Sequence, residues 1–142
     1  LDLMGNTMGD QSACAIAQSP YLHSLESLNL SFCGIGPEGV KAIVDSPHLR
    51  SLKRLCLNRN RAIGPEEIRL IASSPNLSSL MTLELTDTRM DLQSAKAIVD
   101  SPYLQSLVVF EGEYRKEAGW DDHLDEVDIL PHRMTLMSLE RT

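Results

Sequence analysis

The chain has 142 residues, the length of about one domain, and its 13 basic and 20 acidic residues give a net charge of -7. This charge argues against nucleic acid as a partner, because affinity for phosphate comes largely from Lys and Arg. No run of about 18 apolar residues is present, so a membrane partner is not expected either. The three cysteines lack C-x-x-C spacing, which favours free thiols in a reducing compartment and predicts a cytoplasmic location.

A leucine pattern recurs at a nearly constant spacing along the chain. Its copies begin at residues 25, 52, 80 and 107, so successive starts are 27, 28 and 27 residues apart. A period between about 20 and 50 residues is typical of a solenoid, in which each unit buries its apolar face against its neighbours. The copies are Leu25-x-x-Leu28-x-Leu30, Leu52-x-x-Leu55-x-Leu57, Leu80-x-x-Leu83-x-Leu85 and the weaker Leu107-x-x-Phe110.

One unit, residues 25–51, predicts a strand followed by a helix. Leu28 and Leu30 alternate with polar residues, which is the period of a strand with one buried face. Pro37 suits the first turn of a helix, and Ser46 precedes a proline that disfavours helical backbone at Ser46. Between these two ends, apolar residues recur at helical spacing: Val40, Ile43 and Val44.

The two ends of the chain depart from the repeat. The first unit matches only in part, since Leu1 already falls inside a strand, and we expect a fragment with further repeats upstream. An uncapped N-terminal sheet edge would then favour self-association. Residues 1–110 thus predict about four repeats with the first one truncated. Residues 111–142 predict an irregular acidic C-terminal cap with a helix and a last strand.

The motif L-x-x-L-x-L-x-x-N/C-x-[IM]-G followed by a helix resembles the leucine-rich repeat family. Cys33, Asn60 and Thr88 fall at its Asn/Cys position. The unit length is similar to the ribonuclease-inhibitor subclass, and the S-P-x-L helix exit resembles repeats common in bacterial, especially planctomycete-type, proteins. The resemblance implies an α/β right-handed solenoid, a horseshoe with a parallel β-sheet on the concave face and helices on the convex face. In this family the Asn or Cys side chain bonds backbone groups within the turn, so Thr88 implies a looser third turn.

The resemblance further implies that a partner binds on the concave sheet face. Basic side chains concentrate on one unit and acidic ones follow on the next, which would suit a partner of alternating charge. Alternatively, these charges neutralise one another across neighbouring strands and need no ligand. The candidate binding residues are Ser27, Asn29, Phe32, Arg54, Cys56, Asn58, Arg59, Thr82, Glu84 and Asp87.

Two of these residues allow more than one interpretation. Phe32 is either an aromatic anchor for a protein partner or a side chain that packs within its loop. Cys56 would be a reactive thiol if Arg54 and Arg59 favoured its thiolate, but no histidine accompanies it in its own unit or the next.

No motif commits the chain to a reaction. G-x-x-x-x-G-K-[ST], G-x-G-x-x-G and H-E-x-x-H are all absent from the sequence, and the acidic run at residues 121–128 lacks the spacing of a calcium loop. We therefore expect no catalytic residues, no metal and no cofactor. The leading hypothesis is a non-catalytic protein–protein interaction module. The alternative is a substrate-recognition or regulatory segment of a larger multidomain enzyme.

Overall fold

The computed structural model describes residues 1–112, in which strands and helices alternate. The predicted capping helix and last strand of the tail lie outside these residues. The strands are β1 (Ser27–Asn29), β2 (Arg54–Cys56), β3 (Thr82–Leu85) and β4 (Val109–Gly112). The helices are α1 (Gly9–Gln18), α2 (Pro37–Asp45), α3 (Pro65–Ala72) and α4 (Leu92–Val99), with short 3-10 helices at Pro20–Leu22 and Pro75–Leu77.

The four strands form one parallel sheet in chain order, β1-β2-β3-β4. Its register aligns Leu28 with Leu55, Leu55 with Leu83, and Leu83 with Phe110. All four side chains are fully buried, so the repeated leucines form a ladder along the core. The predicted α/β solenoid with a parallel sheet is confirmed. The apolar strand residues repeated in every unit are buried because successive units stack on one another.

The helix boundaries follow from local chemistry, as predicted. Helix α2 begins at Pro37, after Gly36 as its N-cap, and ends at Asp45. The next residue, Ser46, has extended backbone with φ -67° and ψ 122°, as expected for a residue before proline. The buried face of the helix comprises Gly39, Val40, Ile43 and Val44.

The serines at the helix exits have a second role that sequence reasoning missed. Ser74 is buried, and its Oγ donates a hydrogen bond of 2.7 Å to the carbonyl oxygen of Val44 in the preceding unit. Ser46 and Ser101 donate in the same way to Ala17 and Ala72. Since the last carbonyls of a helix have no partner within the helix, these hydroxyls satisfy them and join successive units.

Helices α1 and α2 approach each other closely at Gly39. A Cβ atom on Gly39 would lie 2.5 Å from Oδ1 of Asp10 and 3.1 Å from the Cβ of Ala13. The same Oδ1 accepts a hydrogen bond of 2.6 Å from the backbone N–H of Gly36. The carboxylate of one unit thus caps the helix of the next, where a negative charge is favourable.

Asn60 joins two turns through its buried side chain. Its Oδ1 accepts hydrogen bonds from the backbone N–H groups of Cys33 (3.2 Å) and Ile35 (2.9 Å) in the preceding unit. Its Nδ2 donates to the carbonyl oxygens of Leu30 and Leu57, each at 2.9 Å. One amide therefore satisfies backbone groups in both units, which explains why the motif specifies this residue type.

The turn at Thr88 is held less extensively, in agreement with the prediction. Thr88 Oγ1 donates to the carbonyl oxygen of Leu85 at 2.7 Å, within its own turn. Within residues 1–112, its side chain makes no hydrogen bond to the preceding unit. A hydroxyl is too short and has too few donors to replace the amide of Asn60.

Candidate functional site

The open face of the sheet is formed by the strand residues on either side of the buried leucines. We call this surface the concave face. Because side chains alternate along a strand, these residues point away from the helices. The strand register places them in two rows, Ser27, Arg54, Thr82 and Val109 in the first and Asn29, Cys56, Glu84 and Glu111 in the second.

Glu84 is the centre of a hydrogen-bonded group on the concave face. Its Oε1 accepts bonds from Arg54, at 2.7 Å from Nη2 and 3.2 Å from Nε. Its Oε2 accepts a bond of 2.8 Å from Nδ2 of Asn58, whose Oδ1 accepts from the backbone N–H of Thr86 at 2.8 Å. The structure therefore brings together three predicted site residues, and Arg54 and Glu84 do neutralise each other across strands.

The pKa of Glu84 lies below its ordinary value of 4.5. Burial, the largest single influence, favours the neutral acid, but hydrogen bonds from Arg54, Cys56 and Asn58 stabilise the carboxylate and together outweigh burial. Glu84 thus remains ionised although only 15% of its side chain is exposed.

Glu84 is expected to make stability depend on pH in the acid range. Folding lowers the pKa of Glu84, so its contribution to the free energy of unfolding is complete above the unfolded-state pKa of 4.5. This contribution is lost as the pH falls through the lower pKa of the folded state. Glu84→Gln should therefore flatten the loss of unfolding free energy between about pH 5 and pH 3. Urea unfolding across this range measures the effect. Glu38→Gln, at an exposed position on α2, is the matched control, and equal slopes for the two variants would contradict the prediction.

Cys56 does not fit the role that its position in the sequence predicted. Only 1% of the residue is exposed, so it does not offer a surface contact. Burial, followed by the hydrogen bond and negative charge of Glu84, raises the pKa of the thiol to about 12, although Arg54 acts in the opposite direction. The hypothesis of a thiolate activated by arginine is therefore wrong, because the carboxylate lies on the same network.

Cys56 is expected to resist iodoacetamide at neutral pH in the folded chain. Alkylation requires the thiolate and access to it, and the structure provides neither. Peptide mapping after timed labelling should find Cys56 modified only when urea unfolds the chain. Half-buried Cys14 provides an internal comparison in the same digest. Labelling of native Cys56 at the rate of a small free thiol would contradict this prediction.

Of the four bases that the structure describes on the sheet side of residues 52–79, three are paired with an acid. Arg59 makes no ion pair with any acid in the part of the chain that the structure describes, so the predicted neutralisation does not extend to it. Asp87, which was expected to balance it, contacts Arg61 instead. The observed pairs are Lys53–Glu26 at 2.6 Å, Arg54–Glu84 at 2.7 Å and Arg61–Asp87 at 3.2 Å.

The turns that follow β1, β2 and β3 each contain a non-glycine residue in left-handed backbone conformation. Phe32, Arg59 and Asp87 have φ values of 56°, 59° and 57°, and Gly5 holds the corresponding position in the first unit with 79°. This conformation costs a non-glycine residue about 1 to 2 kcal/mol. Phe32 is also 56% exposed, so more than half of the residue is open to solvent.

A family model described as "Leucine Rich repeat" matches residues 21–44, which include β1 and most of α2. The motif, the parallel sheet and this match agree. Residues 21–44 are thus similar to the leucine-rich repeat family, and the repeat pattern of the chain agrees with that likeness. No curated protein sequence matches this chain. Its unit length is compatible with the ribonuclease-inhibitor-like subclass, which stays a prediction.

Residues 1–112 contain neither a helix that could span a membrane nor a cluster of side chains that could hold a metal. None of the helices there is long and apolar enough to cross a membrane. In the same residues no group of three or more His, Cys, Asp or Glu side chains is placed to hold a metal ion.

Proposed function

We propose that this leucine-rich repeat chain is a non-catalytic interaction module that binds a protein partner on its concave face. The observation that carries the proposal is the group of Arg54, Asn58 and Glu84, whose side chains are held in fixed positions on an open sheet surface. Side chains that are already ordered lose little conformational entropy on binding, which favours association.

The chemistry of the described residues supports a binding role over a catalytic one. Cys56 was the strongest candidate for a nucleophile, and its pKa of about 12 keeps it protonated at neutral pH. The family as a whole consists typically of interaction modules, which supports the same assignment by analogy. The three cysteines are unpaired, and this supports a reducing compartment such as the cytoplasm.

Blocking the concave face is expected to abolish capture of the partner. Ser27 and Thr82 lie in the same row on either side of Arg54, and Ser27 is exposed. The double variant Ser27→Tyr with Thr82→Tyr places two bulky side chains there, and tyrosine is well tolerated in strands. Capture from a lysate of the native host by immobilised chain, compared by mass spectrometry, measures the loss.

The matched control places the same side chain on the helical face. Lys41 on α2 and Lys96 on α4 are exposed, so Lys41→Tyr with Lys96→Tyr should leave capture unchanged. Both double variants should melt within a few degrees of the native chain. Equal recovery of the same proteins by the native chain and by the Ser27 and Thr82 variant would overturn the proposal.

A further inference from the structure

Phe32 and Arg59 are non-glycine residues in left-handed backbone conformation, and within residues 1–112 neither side chain makes a hydrogen bond or an ion pair that would offset the cost. Gly5 holds the same position without strain, since it has no Cβ. Asp87 tolerates left-handed backbone better than most residues and also contacts Arg61. Phe32 and Arg59 are both exposed. Neither lacks a Cβ as glycine does, and neither side chain forms an ion pair as that of Asp87 does. A strained residue whose side chain makes no such contact points to a function of that side chain.

The two side chains project from neighbouring units. The backbone N–H of Phe32 donates a hydrogen bond of 2.8 Å to the carbonyl oxygen of Asn58, the residue before Arg59. The backbone N–H of Arg59 makes the equivalent bond of 2.8 Å to Thr86. Adjacent strands lie about 5 Å apart, so an apolar residue and a basic residue occupy neighbouring positions at the end of the concave face.

Charge indicates what this pair would accept. Among the bases on the sheet side of its unit, Arg59 is the one that lacks an acidic partner within residues 1–112. Guanidinium groups bind carboxylates through two parallel hydrogen bonds, and exposed aromatic rings serve as anchors in protein interfaces. The neighbouring bases are already neutralised by Glu26, Glu84 and Asp87.

We propose that Phe32 and Arg59 together anchor the partner, and that the partner presents a polypeptide segment with an Asp or Glu carboxylate beside an apolar side chain. This inference rests on the proposed function and specifies where on the surface the contact begins. The apolar side chain packs on the Phe32 ring while the carboxylate pairs with Arg59. Such a contact weakens as salt screens the charge.

The experiment selects a phage-displayed library of random peptides against the immobilised native chain. We expect enriched peptides to carry Asp or Glu next to Leu, Met, Phe or Trp. Their affinity, measured by fluorescence anisotropy, should fall at least tenfold in the double variant Phe32→Gly with Arg59→Gly. That variant should melt at the native temperature or above it, because glycine removes the strain at both positions. Lys41→Ala with Lys96→Ala changes two exposed residues on the helical face, outside the anchor, and should retain binding.

A charge exchange tests the pairing itself. Arg59→Glu should lose the acidic peptides and should bind versions in which the acidic residue is replaced by Lys. The inference is overturned if no peptide is enriched, if the enriched peptides lack an acidic residue, or if the double glycine variant binds them within twofold. A clear drop in its melting temperature would also overturn it, because the side chains would then serve the fold. Peptides that bind the double glycine variant but not the Ser27 and Thr82 variant would refute the anchor while leaving the concave-face proposal intact.

Discussion

Asn60→Ala is expected to lower the free energy of unfolding by about 4 kcal/mol, because four backbone groups lose their partner at about 1 kcal/mol each, the lower end of the usual cost. The substitution removes the acceptor of the Cys33 and Ile35 N–H groups and the donor to Leu30 and Leu57. Urea unfolding followed by circular dichroism measures the loss.

Thr88→Ala is the matched control for Asn60. It falls at the same position of the next unit and removes one hydrogen bond, to the carbonyl oxygen of Leu85. The expected loss is about 1 kcal/mol, the usual net value of one hydrogen bond. If the two variants lost the same free energy, the amide of Asn60 would not be the link between units that its geometry indicates.

Leu83→Ala is expected to destabilise the chain by about 3 kcal/mol through loss of burial and through the cavity it leaves. Leu83 is fully buried, and the strand register places it between Leu55 and Phe110. The neighbouring rungs belong to rigid strands, so they have little freedom to fill the space. Denaturant titration should show a lower midpoint.

Thr82→Ala, on the same strand but on the opposite face, separates the effect of the core from that of the strand. Thr82 is half-buried and faces away from the leucine ladder, so its loss should be within about 0.5 kcal/mol of zero, as for most surface substitutions. A loss below about 1 kcal/mol for Leu83→Ala would contradict the single ladder on which the fold description depends.

Much of the fold was predictable because its signals are local. The alternating leucines indicate which strand side chains are buried. Gly36-Pro37 and Ser46-Pro47 determine the ends of α2, because each proline restricts the backbone of one or two residues. The concave face was predictable in outline for the same reason, since residues that alternate with buried leucines must face the other way.

The individual roles of the site residues were less predictable. Arg54 lies beside Thr82 in the register, yet its guanidinium reaches diagonally to Glu84. Asp87 pairs with Arg61 and leaves Arg59 without an acid among residues 1–112. A long side chain can reach several partners at similar distances. Which partner it binds depends on the relative positions of the units.

By itself, the sequence determined the architecture of this protein: the repeat length, the buried leucine ladder, the helix ends and the face left open. The tertiary structure alone decided that Cys56 is buried beside a carboxylate, that the exit serines bond the preceding helix, and that Phe32 and Arg59 hold left-handed backbone. The difference has a physical reason. A pattern of burial is repeated within each unit and can be read locally, whereas a pKa, a hydrogen bond or an ion pair depends on atoms about 30 residues away along the chain, brought close by stacking.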